Sequence, residues 1–117
     1  MQVSVRGKHL KENRALEDYA LEKASKLGRL AKDMTKVEIE LLAEVSHLAK
    51  QDDFIVDITT HVTGHTFQVR DSEMDMYQAI DKAVRRMEEV LRRHKEKLIE
   101  KPRRLAARTK HQIEGSL

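Results

Sequence analysis

The chain has no cysteine and no tryptophan, a single proline (Pro102) and only four glycines. Without cysteine there is no disulfide frame, no thiolate metal site and no thiol nucleophile, a composition that suits a reducing compartment. The glycines, at positions 7, 28, 64 and 115, are scattered, so no glycine-rich loop can cradle a phosphate. No serine sits in a nucleophile elbow, and no pair of titratable groups is placed to be driven apart in pKa, so no catalytic role is expected. No apolar run approaches the length that spans a bilayer. Met1-Gln-Val-Ser-Val-Arg6 lacks the basic-then-apolar order of a signal peptide. The aromatic residues are Tyr19, Phe54, Phe67 and Tyr77, few rings for stacking single-stranded bases.

What the chain does have is charge, unevenly spread. Its 117 residues make one small domain with one modest core. Lys+Arg number 23 and Asp+Glu 20, a total of +3. Between Lys82 and Lys110, however, twelve bases face four acids, so that stretch is +8 and the remainder −5. Such polarisation points to a polyanionic partner.

Period and punctuation give the elements. Gln2 to Arg6 alternates with Val3 and Val5 on one side, a short strand. Leu16, Tyr19, Ala20, Leu27 and Leu30 recur at helical spacing over Lys11 to Leu30, with Gly28 a candidate terminator. Val37, Ile39, Leu41, Ala43 and Val45 then alternate with polar residues. Residues 46–53 are polar and read as a loop. Phe54, Val56, Ile58, Thr60 and Val62 resume the alternation, Thr63-Gly64-His65 reads as a tight turn, and Phe67 and Val69 lie on a returning strand. Asp75 is a fitting N-cap with Gln78 three residues on. The stripe Met76, Ile80, Ala83, Val84, Met87, Leu91, His94 and Leu98 follows, and Pro102 is expected to end the helix.

The order is β-α-β-β-β-α. It predicts an α+β fold with a four-stranded, mostly antiparallel sheet, both helices on one face and the other face open to water. Residues 1–100 would form the folded domain and 101–117 a basic, flexible tail.

The candidate site lies on the last helix. On a helical wheel Lys82, Arg86, Arg93 and Lys97 share one flank, Arg85 and Arg92 the other, with Glu89 and Glu96 between. Such a ridge matches a phosphate backbone, whose binding releases condensed counterions. A solvated helix face with Glu89–Arg93 and Arg92–Glu96 pairs would carry the same pattern, but the threefold excess of bases favours the polyanion. Lys23 and Lys26 on the first helix, and more weakly Arg29 and Lys32, can join this surface. Phe54 and Phe67 lie in the inward phase, which argues against base stacking on the sheet and for phosphate and ribose contacts from the helical side. The histidines lack a supporting ligand set, so no metal is expected. His94 reads as a packed residue at the core edge.

Asp75-Met-Tyr-Gln-Ala-Ile-Asp81 followed by Arg92-Arg-His-Lys-Glu-Lys97 resembles the ribosome hibernation-promoting factors, also named sigma-54 modulation proteins or ribosome-associated inhibitors. Met1-Gln-Val-Ser-Val-Arg-Gly7, Ala15-Leu-Glu-Asp-Tyr19 with Glu22-Lys23 and Lys26-Leu27, and Asp57 with His61-Val-Thr-Gly-His65 are also similar, so the resemblance covers about residues 1 to 100. It implies a fold close to the double-stranded-RNA-binding domain with an added first strand. It implies binding to the small ribosomal subunit in the mRNA and tRNA channel, in the cytoplasm, with translation silenced under stress or in stationary phase. By position, the contacts it implies come from Lys23, Lys26, Lys82, Arg85, Arg86, Arg92, Arg93 and Lys97, with no cofactor, membrane or small-molecule substrate. Tyr77 would pack the helix start against the sheet. The long forms carry a second, dimerising domain, which a chain of this length is not expected to include. Two other readings share the basic helix: a shape-selective duplex-RNA module acting off the ribosome, and a module that docks an acidic protein.

Overall fold

A computed structural model of the chain describes the backbone of residues 1–116 apart from residues 9, 12 and 47–50, and the side chains of these residues outside 45–52 and 98–117. Gln2–Lys8 forms β1, Arg14–Leu27 α1, Gly28–Leu30 a 3₁₀ turn, Met34–Ser46 β2, Gln51–Val62 β3, His65–Glu73 β4 and Met76–Ser116 α2. The strands lie in the order β1-β2-β3-β4. β1 is parallel to β2, and the other two pairs are antiparallel. The crossover through α1 returns the chain in its starting direction, whereas the later connections are hairpins. The expected α+β order and mostly antiparallel sheet are therefore present.

Each boundary has a local cause. Asn13 Oδ1 accepts the Leu16 N–H at 3.2 Å, so α1 starts at the first side chain able to cap it rather than at Lys11. Gly28 does not terminate it in a left-handed conformation. Its φ is −60°, and the chain tightens into the 3₁₀ turn before extending at Ala31. Asp75 Oδ2 accepts the Gln78 N–H at 3.1 Å and opens α2, as its sequence predicts. At the β3–β4 hairpin, Val62 pairs with His65, leaving Thr63 and Gly64 as the loop. Gly64 has φ 79°, which a Cβ would strain.

Two expectations are corrected by pairing. The segment 46–53 is not all loop, because Ser46 pairs with Gln51 and Val45 with Asp52. Cross-strand hydrogen bonds extend both strands past the point where the apolar alternation fades. α2 does not stop before Pro102 but continues to Ser116. A proline removes one donor from the ladder at about 3 kcal/mol. Leu98, Ile99 and Glu100 before it and Leu105, Ala106 and Ala107 after it support helix on both sides. The proposed domain boundary at residue 100 falls where side chains lie outside the described residues.

One core unites the sheet face and both helices. Leu16, Ala20, Ala24 and Leu27 of α1 meet Val37, Ile39 and Leu41 of β2, Val56 and Ile58 of β3, and Ile80, Ala83, Met87 and Leu91 of α2. Thr60 is wholly buried here, and its hydroxyl donates to Met87 Sδ at 3.4 Å. The other sheet face is polar along most of its length. Lys36 lies 2.7 Å from Glu38, Gln68 donates to both Asp57 oxygens at 2.9 and 3.0 Å, and Arg6 lies 3.7 Å from Glu40. The Lys36 ammonium holds the Glu38 carboxyl below its usual range. This face is not wet throughout, however. Leu42 and Ile55 are in the outward phase, pair across β2 and β3, and are buried.

Leu91 is fully buried at the centre of the α2 stripe. Leu91→Ala is expected to cost about 2–5 kcal/mol through the cavity it leaves, read as a lower midpoint in urea unfolding followed by circular dichroism.

Candidate nucleic-acid interface

α1 and α2 lie side by side and run in the same direction. Tyr19 meets Asp81 and Tyr77, and Lys23 and Lys26 share a groove with Asp81, Val84, Arg85 and Glu88. Further along, Leu30 lies near Leu91. The groove holds about 370 Å³ and opens to solvent, with Lys23, Lys26 and Arg85 set among Asp81 and Glu88.

The structure brings Lys23, Lys26 and Arg85 together there. The Lys23 ammonium lies 5.4 Å from the centroid of the Tyr19 ring, its stem half-buried. Lys26 is 3.6 Å from Glu22, an exposed (i, i+4) pair. Arg85 Nε donates to the Asp81 carbonyl at 3.4 Å. Arg92, two helical turns beyond Arg85, occupies the same flank. It is exposed and has no ion-pair partner among the described residues.

The opposite flank of α2 is different. Lys82 lies 3.3 Å from Glu73 on β4, and Arg93 lies 2.6 Å from Glu89 on its own helix. Exposed pairs of this kind contribute about 0.2–1 kcal/mol and exchange readily for a phosphate. Arg86 is held more firmly. Its Nη1 donates to Asp71 Oδ1 at 2.9 Å and to the Arg70 carbonyl at 3.3 Å. The Asp71 side chain is only 8% exposed, while that of Arg86 is 59% exposed. Arg86 therefore points to solvent as expected but also clasps β4 to α2. Removing it would strand a buried carboxylate. Lys97 is exposed on this flank, with no ion-pair partner among the described residues.

The predicted cations of α2 thus form two flanks, as the helical wheel places them. The flank beside α1 joins both helices and includes Glu22, Asp81 and Glu88, and the flank beside β4 is partly neutralised by Glu73, Asp71 and Glu89. Glu89 and Glu96 are exposed on the ridge between them.

Tyr77 does not pack against the sheet. It is 40% exposed and stands edge-on to Tyr19 on α1, the ring centroids 5.0 Å apart. The Tyr19 hydroxyl donates to Asp81 Oδ1 at 2.5 Å, a bond that locks the two helices at the head of the groove. The Asp81 carboxylate accepting that proton, with desolvation adding to it, pushes the Tyr19 hydroxyl up to about 12. Sequence reading missed this link because 62 positions separate the two residues. It also missed a ring cluster at the hairpin. His94 lies 4.6 Å from the ring of His65 and 5.1 Å from that of Phe67, and His65 stacks on Phe67. The inward phase of Phe67 and the core-edge position of His94 are the only signals for it.

Comparison with known proteins places this geometry. Residues 3–99 match the family described as Sigma 54 modulation protein / S30EA ribosomal protein. The chain is 36% identical over 101 residues to a ribosome hibernation promoting factor of Azotobacter vinelandii, covering 86% of this chain and 89% of that one. It is 33% identical over 81 residues to a protein of the same name from Acidithiobacillus ferridurans, covering 69% of this chain and 100% of that one. A ribosomal subunit interface protein from Coxiella burnetii superposes with a TM-score of 0.66 at 21% identity, over 81% of this chain and 98% of that one. The N-terminal domain of Thermus thermophilus Protein Y gives 0.63 at 24% identity, over 80% and 99%. At these identities the two structures show a shared fold.

The Tyr19–Asp81 bond carries a pH signature. The hydroxyl titrates near 10 in the unfolded chain and higher in the fold. Its stabilisation is therefore complete below pH 10 and is lost as pH rises from 10 through 12. Chemical denaturation across that interval should show a smaller alkaline loss of stability in Tyr19→Phe than in the parent chain.

Proposed function

We infer that this chain, which belongs to the Sigma 54 modulation protein / S30EA ribosomal protein family, is a non-catalytic ribosome hibernation factor. It binds the small ribosomal subunit in the channel used by mRNA and tRNA, and silences translation under stress or in stationary phase. Its workplace is the cytoplasm, where the ribosomes are. The observation that carries the reading is the flank where α1 and α2 together offer Lys23, Lys26, Arg85 and Arg92 to solvent.

The physics suits occupancy rather than chemistry. A ridge anchored on a continuous apolar core presents fixed cations to a groove walled by ribosomal RNA. Phosphate contacts set position and affinity with little regard to base sequence. Lys82 and Arg93 add to them by exchanging weak carboxylate pairs for phosphates, and Arg86 offers its free N–H groups while still holding Asp71. A rigid body in that channel excludes mRNA and tRNA by bulk. The outer sheet face, where Glu38, Glu40 and Asp57 are paired with Lys36, Arg6 and Arg70, would face away from the RNA.

Sedimentation of cell extract on a low-salt gradient tests the reading. The chain should travel with small subunits or whole ribosomes, and retention of all of it at the top of the gradient would refute hibernation. Release by ribonuclease into a duplex-RNA complex would favour action off the ribosome, and indifference to RNA would favour an acidic protein partner.

Two quantitative outcomes follow from the charge geometry. If about six phosphates are neutralised, log K should fall with log salt with a slope of about −4 to −5. Arg92→Glu with Lys97→Glu should weaken subunit binding at least about tenfold without moving the thermal midpoint, since neither side chain pairs within the described fold. Unchanged affinity in that double variant would remove the interface from this surface.

A further inference from the structure

Beyond the groove, the 3₁₀ turn and the segment after it face α2 across a second cleft, of about 230 Å³. Its apolar surface comes from the half-buried Leu30 and Ala31, with the fully buried Leu91 beneath them. Arg29, Lys32 and Lys95 stand around it, and none of the three has an ion-pair partner among the described residues. His94 also lines the cleft. Its Nε2 is buried and has no hydrogen-bond partner among the described residues, although buried polar atoms are nearly always satisfied. That imidazole packs against the rings of His65 and Phe67, which hold it in place.

The opposite wall is fixed as well. The Asp33 carbonyl accepts from the Thr63 backbone N–H at 3.3 Å and from the Thr63 hydroxyl at 3.4 Å, so the hairpin turn pins the segment carrying Lys32 and Asp33. The Met34 N–H donates to the Ala31 carbonyl at 3.2 Å. The cleft is thus built before any ligand arrives.

We propose that this cleft takes one unpaired nucleotide of the bound RNA, its base on the apolar surface beside His94 and its phosphate among Arg29, Lys32 and Lys95. The chemistry selects that ligand over simpler ones. A bare anion would satisfy the cations and leave Leu30 and Ala31 wet. An apolar ligand would cover Leu30 and Ala31 and leave three cations unanswered. A nucleotide supplies a π-face for the apolar surface beside His94 and a phosphate for the cations in one unit. The Asp33 carboxylate, on the same wall, can accept from a ribose 2′-hydroxyl, the group that distinguishes RNA from DNA. At about 230 Å³ the cleft is smaller than the roughly 300–1,000 Å³ of drug-sized sites, which suits one base and not a stack. The proposal rests on the RNA-binding reading above and adds to it a point of contact that phosphate electrostatics alone would not supply.

The test uses the full chain and four probes, adenosine 5′-monophosphate, uridine 5′-monophosphate, ribose 5-phosphate and inorganic phosphate, followed by NMR. At least one mononucleotide should bind saturably, moving the His94 ring and the Leu30 and Ala31 amides together. It should bind about tenfold more tightly than ribose 5-phosphate or inorganic phosphate. Arg29→Ala with Lys95→Ala, both on the solvent side of the cleft, should weaken it by a similar factor with the thermal midpoint unchanged. His94→Gln should lower mononucleotide affinity to that of ribose 5-phosphate. Mononucleotides binding no better than ribose 5-phosphate, or shifts spread evenly over all exposed cations, would overturn the proposal. The two readings fail separately. Arg92→Glu with Lys97→Glu should lose the subunit yet keep the mononucleotide, so subunit binding without nucleotide binding sinks the cleft alone. Nucleotide binding without subunit binding sinks the ribosomal reading alone.

Discussion

Two helices laid in parallel on one face of a four-stranded sheet set the position of every cation discussed above. Ala20 and Ala24 of α1 and Ala83 of α2 are wholly buried, and residues this small let helix and sheet backbones approach closely. The apolar stripe of α2 then fixes its rotation about its own axis. Once Ile80, Met87 and Leu91 face the sheet, Arg85 and Arg92 must face α1, and Lys82, Arg86, Arg93 and Lys97 must lie on the side of β4. A rotation of α2 by one residue would bury charge, so core packing and charge display are one constraint.

The cations so displayed are not equivalent. Lys82 and Arg93 sit in exposed pairs, which water and salt weaken and a phosphate can replace. Arg86 is tied to a carboxylate that has almost no water around it, so its charge contributes to holding β4 against α2 before it contributes to any partner. Lys23, Arg85 and Arg92 have cation–π, backbone or solvent surroundings. The flank beside α1 sets Lys23, Lys26, Arg85 and Arg92 against Glu22, Asp81 and Glu88, so carboxylates temper both flanks, and they differ in how tightly each cation is held.

Local pattern made much of the architecture readable. The alternation at Val37, Ile39 and Leu41, the Asp75 cap, the Gly64 turn and the stripe of α2 each declare themselves within a few residues, because burial on a pleat or a helix imposes its period on the sequence. The readings that needed correction lie where long-range pairing overrode local preference. Polar residues 51–53 became strand because β2 lay beside them. Leu42 escaped the alternation because its neighbour Leu41 already held the inward place. Asp71 and Glu73 carry no local signal of their role, and their register on β4 makes them partners of Arg86 and Lys82.

By itself the sequence determined the order of elements, the inward faces, the absence of thiol and phosphate-loop chemistry, and the concentration of positive charge on the last helix. These follow from period, composition and capping, which depend on neighbours along the chain. Only the tertiary structure decided which cations meet, which are neutralised, and that Tyr19 locks to Asp81, His94 to the hairpin rings, and Asp33 to Thr63. Those relations join residues tens of positions apart, and their distances are set by how helices and strands pack, a quantity that no local pattern encodes.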